Sequence, residues 1–507
     1  MAEREVVEVY RKKGVRLTAE MSPLLYKYFY AHEWPDIVHL GWQMFDKAHA
    51  VMLVETGVIP REVGIGILRA LRQLDTEGAV EGRRRLGGHL HCGEAYVTKV
   101  AGPDVGGWIH CGRSTGDLAA VAHRIAVRDY EIRAMEAINQ ARGVFIQRAD
   151  EHAGTVMPGY THLQHAEPIT YGFYLLSWVH QLERDFGRLM DALGRANTSP
   201  AGCAILTTTD FPLDRHATQR LLGFDQLYTN AKDAIWSVDY CMEALGAVLC
   251  SGSGLGRLAE DLNTWHSSEF GLVEHPDEYC GTSSIMPQKK NPYGTECVRG
   301  LVGDIIGKVT AFAATTKAAS DACEMVLMAQ AHVYDAFDRY LGALEIMTGI
   351  VDGLKINAQL MRQRAGMYWS QASTLANVIV REKQVPFRTA HQLVGILVRL
   401  AYEDNKLPEQ VTAAMLDRAS VELNGEPLGL SEDALRRALD PESVIESRRL
   451  VGGPSSEHVG RDIAYANESL QRDTTRLSEV RARLARAERD LEEAIDRIIG
   501  QQAESLS

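Results

Sequence analysis

The 507-residue chain has no run of about 18 uninterrupted apolar residues, the length that an ordinary membrane-crossing helix needs. Its opening, MAEREVVEVYRKKG, is charged where a secretory leader would carry an apolar centre, so a cytoplasmic protein is expected, without a membrane-bound role. A basic excess is also lacking. Acidic residues outnumber basic ones, 67 to 54, for a net charge of −13, whereas a general nucleic-acid binder needs clustered Lys and Arg against the phosphates. The eight cysteines, Cys92, Cys111, Cys203, Cys241, Cys250, Cys280, Cys297 and Cys323, are scattered. No CxxC and no Cys/His pair at finger-like spacing occurs, so free thiols are expected. With neither a Walker loop nor a Rossmann fingerprint, no organic cofactor and no metal is implied. β-branched alternation between turn signals is scarce, which argues against a sheet protein.

What the chain does have is long stretches of helix formers. Leu118 to Ala149, Ala231 to His266 and Glu296 to Ser320 are too long for strands, and they predict an all-α fold built on a bundle of long helices. Glycine-rich, irregular segments lie between them, at Gly87–Gly116, Met157–Pro168, Asn197–Pro212 and His275–Pro292, and chemistry is expected there. The expected division is an N-terminal helical domain (1–112), the long-helix domain (113–365), a C-terminal helical domain (366–465) that opens at a composition shift, and a final amphipathic helix (466–507). In that last segment Leu477, Val480, Leu484, Ala487, Leu491, Ala494 and Ile498 recur at spacings of three and four, a packing stripe for the same chain or a neighbouring one.

The most informative stretch is CGTSSIMPQKKNPYGTECVRG, Cys280–Gly300. It sets hydroxyls, two lysines and an asparagine in a Gly/Pro-bounded loop before a helix, a composition suited to wrapping an anion and to supplying positive charge to a developing carbanion. SSIMPQKKNP resembles the signature loop of the fumarase/aspartase superfamily. The wider SSEFGLVEHPDEYCGTSSIMPQKKNP is most similar to the argininosuccinate lyase branch. GGWIHCGRSTGD at Gly106–Asp117, PGYTHLQHAEPITYG at Pro158–Gly172 and TTTDFPLDRHATQRLLGF at Thr207–Phe224 follow the same branch in the same order, and the likeness covers roughly residues 30 to 460.

The resemblance implies a lyase that splits the C–N bond of an N-substituted aspartate into fumarate and an amine, or runs the reverse addition, through a doubly charged aci-carboxylate. It implies a homotetramer with a twenty-helix core and active sites shared among three subunits. Residue by residue, Ser283 would be the general base, with Lys289 and Asn291 stabilising the aci-carboxylate. Thr282, Ser284 and Met286 would lend hydroxyl or backbone contacts. His162, partnered by Glu296, would serve the departing amine, because a carboxylate fixes the imidazole's tautomer and raises its pKa. Thr161 would bind the substrate carboxylate with support from Gln164, and Arg113 with Ser114 would anchor a carboxylate through a guanidinium fork and a hydroxyl.

Two departures bear on the substrate. Argininosuccinate lyases usually continue GRS with Arg-Asn-Asp-Gln, whereas this chain has Thr115, Gly116, Asp117 and Leu118, losing a cation and an amide. The family positions that hold the arginine portion, commonly Tyr, Gln and Lys, fall on Cys323, Met328 and Ala331. Losing three polar handles argues for a different amine, since sites built to hydrogen-bond a substrate discriminate strongly. Met325, Met328 and Tyr334 are candidates for a more apolar pocket, with helix core as their plainer role. Argininosuccinate lyase itself is the second reading, and a catalytically silent structural relative is the reading from another class.

Overall fold

In the computed structural model of the chain, residues 22–29, 33–319 and 323–500 are described; the side chains of Tyr26, Phe29 and residues 323–325 lie outside that description. Seven helices carry the argument: α1 (Asp36–Glu55), α2 (Thr115–Glu151), α3 (Tyr171–Ala196), α4 (Asp239–His266), α5 (Tyr293–Thr316), α6 (Cys323–Gly353) and α7 (Ser456–Gly500). Helices α2 to α6 form a closed bundle, each packing on the next and α6 returning onto α2. The all-α architecture expected from the sequence is what forms. Among the described residues the strands are short and pair only two at a time.

Local chemistry sets the helix ends. Ser114 starts α2 as its N-cap, the Ser114 hydroxyl accepting from the Gly116 N–H while the Asp117 carboxylate accepts from the Ser114 N–H, a capping box that satisfies two orphan donors. From there Leu118, Val121, Ile125, Ile132 and Ile138 are buried, as suits a helix flanked on several sides. The stretch expected as one helix from Ala231 to His266 is two, Ala231–Trp236 and α4. Ser237 between them takes an extended backbone and turns its hydroxyl to the Asp239 carboxylate, which competes with continuing the helix.

Helix α7 runs unbroken from Ser456, so the separate helix expected from 466 is the distal part of a longer one. Its predicted stripe packs against this same chain: Leu477, Val480, Ala487, Leu491, Ala494 and Ile498 are buried, and Leu484 is partly so. Two ion pairs fix its register, Arg142 to Asp473 at 2.6 Å and Lys47 to Glu492. A second core, with Leu375, Leu393, Leu397, Leu416 and Leu435 at its centre, belongs to residues 369–439 and is separate from that of the bundle.

One feature of the bundle core works against stability. Glu131 on α2 is fully buried, and among the described residues neither carboxyl oxygen has a hydrogen-bond partner. Burial first, then the nearby Glu243, raise its pKa well above the ordinary 4.5. The folded chain therefore holds a proton that the unfolded chain releases above that value, and stability falls as pH rises through the interval. Glu131→Met is expected to be more stable than wild type by about 1–3 kcal/mol at pH 8, with the gap narrowing toward pH 4. Urea unfolding across that range checks this; parallel curves for the two proteins would contradict it.

Candidate active site

The signature loop is a hairpin. Strands β3 (Gly281–Thr282) and β4 (Lys290–Asn291) pair antiparallel, Gly281 with Asn291 and Thr282 with Lys290, and present residues 283–289 between them. Glycine at 281 lets the Tyr293 ring pack on the hairpin: a Cβ there would lie 1.8 Å from that ring and would have to displace it. Gly281→Ala is expected to displace the hairpin and cost most of the activity while the bundle melts near the wild-type temperature; a fully active variant would show that the loop tolerates the shift. Helix α4 holds the other side. His266 donates from Nε2 to the Lys290 carbonyl at 3.2 Å and accepts the His275 N–H at Nδ1, two bonds that together define the neutral tautomer. This positioning role was not read from the sequence, where His266 stands in no motif.

Within the loop, the half-buried Ser283 Oγ accepts two backbone N–H bonds, from Ile285 at 3.2 Å and Met286 at 3.0 Å. Donors aimed at a hydroxyl oxygen favour its anionic form, as an oxyanion hole does. The two lysines divide their labour. Lys290 is paired with Glu274 at 2.9 Å and Asp277 at 2.6 Å, which ties the hairpin down. Lys289 is exposed, and among the described residues it has no ion pair, so its ammonium is available to an anion. Lys289, Asn291 and Glu296, the last in the first turn of α5, line one cleft of about 890 Å³ with Asn263 and His266. Thr282, Ser284 and Met286 are exposed, and Ile285 at the loop tip is 84% exposed, an apolar side chain that no described residue covers.

His162 lies elsewhere, at the turn of a second hairpin. Strands β1 (Val156–Thr161) and β2 (Gln164–Thr170) meet in a two-residue turn, His162 and Leu163, with φ of 56° and 57°. Positive φ at both central residues is the type I′ geometry that Asn-Gly adopts cheaply; His and Leu there hold backbone strain, which tends to collect at functional sites. Thr161, His162 and Gln164 are all exposed, and Leu163 is 66% exposed. Leu163, Gln164 and His165 line a separate cleft with Arg364, Tyr368 and Tyr402. His165 packs edge-on to Tyr368 and Tyr160, in keeping with a structural role. Among the described residues no hydrogen bond or ion pair joins His162 to Glu296, so the partnership expected between them is not made within one chain.

At the third segment Arg113 is paired within the chain. Arg113 is buried and donates from Nη1 to Asp46 Oδ1 at 2.7 Å, while the buried Arg83 donates to the other carboxylate oxygen. Burial pushes the Asp46 carboxyl up, but the two guanidiniums outweigh it and hold it below the usual range. Ser114 serves as the α2 cap described above. Arg113 and Ser114 therefore also serve the scaffold, because GRS here must turn the chain into a buried helix. Asp117 of the capping box is pushed up to about 7 by burial, against backbone donors from Ser114 and Ala204 that oppose the shift.

Of the residues expected around the amine, Met328 and Ala331 are half-buried on α6, and the Cys323 and Met325 side chains lie outside the described residues. Tyr334 is core: it is buried, bonds His123 Nδ1 at 2.5 Å and stacks on Tyr130.

Comparison with known proteins places these observations. A family profile described as "Lyase" matches residues 47–307, and one described as "Argininosuccinate lyase C-terminal" matches 369–446. The chain is 37% identical to the argininosuccinate lyase of Methanothermobacter thermautotrophicus over 81% of this chain and 88% of that one. It is 37% identical to that of Methanothrix thermoacetophila over 90% and 93%. Among solved structures, a variant of EDDS lyase with bound fumarate superposes with a TM-score of 0.84 at 30% identity, covering 92% of each chain. A class II fumarase from Schistosoma mansoni shares the fold, with a TM-score of 0.66 at 16% identity over 80% of this chain and 90% of that one. The protein is a carbon–nitrogen lyase. It belongs to the fumarase/aspartase superfamily, in its argininosuccinate-lyase-like branch.

Proposed function

We propose that the chain eliminates fumarate from an N-substituted aspartate, or adds an amine to fumarate, with an amine other than arginine. The observation that carries the reading is the Ser283 Oγ held by two backbone donors on the same loop as Lys289, which has no ion pair among the described residues. The ionised hydroxyl takes the proton from the carbon next to the distal carboxylate, and the electron pair moves into that carboxylate. The resulting dianion is stabilised by the Lys289 ammonium and the Asn291 amide; collapse then expels the nitrogen on the opposite face, which receives its proton on the His162 side. A proton adjacent to a carboxylate is barely acidic, so charge stabilisation at the carboxylate carries most of the catalysis.

We also infer a homotetramer in which sites are shared. Ser283 and His162 stand on separate hairpins whose neighbours line separate clefts, and α5 exposes Cys297, Gly300, Gly303, Ile306 and Gly307 on a face that no described residue covers. Four copies of a five-helix bundle would bury that face and bring the hairpins together. Apolar Met328 and Ala331, where the family carries polar handles, support an amine without arginine's guanidinium. Argininosuccinate lyase itself remains the alternative, favoured by the curated relatives' names; release of arginine from argininosuccinate by the purified protein would establish it. The cysteines recorded as free fit a reducing compartment and hence the cytoplasm. Light scattering on the eluted protein tests the assembly: a particle of four chain masses is expected, and a stable monomer with full activity would overturn it.

A further inference from the structure

Three side chains beside the GRS segment form a cluster that the reaction above does not use. His91 is the N-cap of the helix Cys92–Ala101, Glu94 lies in that helix's first turn, and His110 ends the short 3-10 helix Gly107–His110. One nitrogen or oxygen from each lies within 4.8 Å of the others. The Glu94 Oε2 is 3.2 Å from His110 Nδ1 and 3.9 Å from His91 Nδ1, and the side chains are only 29%, 7% and 11% exposed for His110, Glu94 and His91.

We propose that His91, Glu94 and His110 bind one divalent transition-metal ion, zinc being the fitting probe, and that this ion grips a substrate carboxylate. Two imidazoles and one carboxylate are the donor set of open zinc sites, which keep a fourth position for an exogenous ligand. Bonds of about 2.1 Å in tetrahedral geometry put ligand atoms about 3.4 Å apart, and the two spacings to Glu94 bracket that value. His91 is also oriented for it. Its Nε2 lies 3.1 Å from the Thr115 hydroxyl oxygen, which can accept from the ring N–H when Nδ1, the atom facing Glu94, gives its lone pair to a metal, the arrangement that metal-binding histidines use.

Thr115 is the position where argininosuccinate lyases usually carry an arginine. Arg113 shares its charge with the buried Asp46, so this corner of the site has lost one cation and partly neutralised another. An ion held one hydrogen bond from Thr115 restores positive charge at the same corner. The carboxylate half of the proposal rests on the lyase reading; the metal half does not.

The test uses the full-length protein dialysed against a chelator. Calorimetric titration with zinc sulfate is expected to give one ion per chain at micromolar affinity or tighter, weakened at least about tenfold in Glu94→Gln and in His110→Gln. Equal affinity in wild type and both variants, or no binding, overturns the site. Should a variant fail to fold, cobalt(II) in the wild type decides. A visible ligand-field spectrum without a thiolate charge-transfer band is expected; such a band would implicate Cys92 or Cys111 and overturn the ligand set. Succinate, an unreactive dicarboxylate, is expected to shift that spectrum, and no shift overturns the carboxylate grip. Zinc bound without any turnover would count against the lyase reading alone, whereas chelator-insensitive turnover with no zinc bound would count against the site alone.

Discussion

Ser283→Ala is expected to lower turnover by roughly three orders of magnitude, the middle to upper range for a general base, while the melting temperature stays close to that of wild type. Both halves follow from the loop. The hydroxyl oxygen is where two N–H donors converge, so removing it removes the atom on which proton acceptance depends. The loop around it is exposed and packs little against the chain, so Ile285 and Met286 N–H groups released by the change turn to water at small cost. Binding should suffer less than turnover, because Lys289 and Asn291 remain; a fall in kcat with KM held within a few fold is the signature of a group that acts in the transition state. Stopped-assay kinetics and a thermal melt on the same preparations check this. A variant within tenfold of wild type would remove Ser283 from the role of base and leave the loop as an anion holder.

Two inactive variants are expected to rescue each other. Ser283 and His162 meet in no contact within the described chain, and on the shared-site reading each active centre draws them from different subunits. Ser283→Ala and His162→Asn should each be nearly inert alone. Coexpressed in equal amounts and mixed at random, half the positions of each kind are intact, so about a quarter of the sites recover both groups and about a quarter of wild-type activity returns. That recovery from near zero cannot arise if each chain carries a complete site. Failure to complement, with mixed tetramers demonstrated by differently tagged chains, would place both residues in one subunit's site and overturn the shared arrangement.

The parts legible in the sequence are those that local chemistry dictates. Long runs of helix formers announced α2, α4 and α5, and the spacing from Leu477 to Ile498 announced the buried face of α7. The order of residues in SSIMPQKKNP pointed to Ser283 and Lys289, and the hairpin now explains why Lys289 and not Lys290 stays available: Glu274 and Asp277, distant in no obvious pattern, neutralise the second lysine. Long-range pairing was not legible. Nothing near Arg113 in sequence signals that Asp46, 67 positions earlier, takes its guanidinium, and nothing in GGHLHCGE signals that His110 returns to His91 and Glu94. The hairpin carrying His162 was hidden because its turn uses His and Leu where the geometry favours Asn and Gly. Tyr334, named as a candidate lining of an apolar pocket with helix core as its plainer role, takes the plainer one: its hydroxyl is bonded to His123 inside the core.

The central claim, reversible C–N bond formation on fumarate with an amine other than arginine, is tested most directly by incubating the purified full-length protein with fumarate and a panel of amines and amino acids, following the loss of fumarate absorbance. The account predicts consumption with at least one amine that lacks a guanidinium, none with Ser283→Ala, and little or none with arginine. Consumption with arginine alone, together with cleavage of argininosuccinate, would contradict it and make the chain an argininosuccinate lyase despite Cys323, Met328 and Ala331.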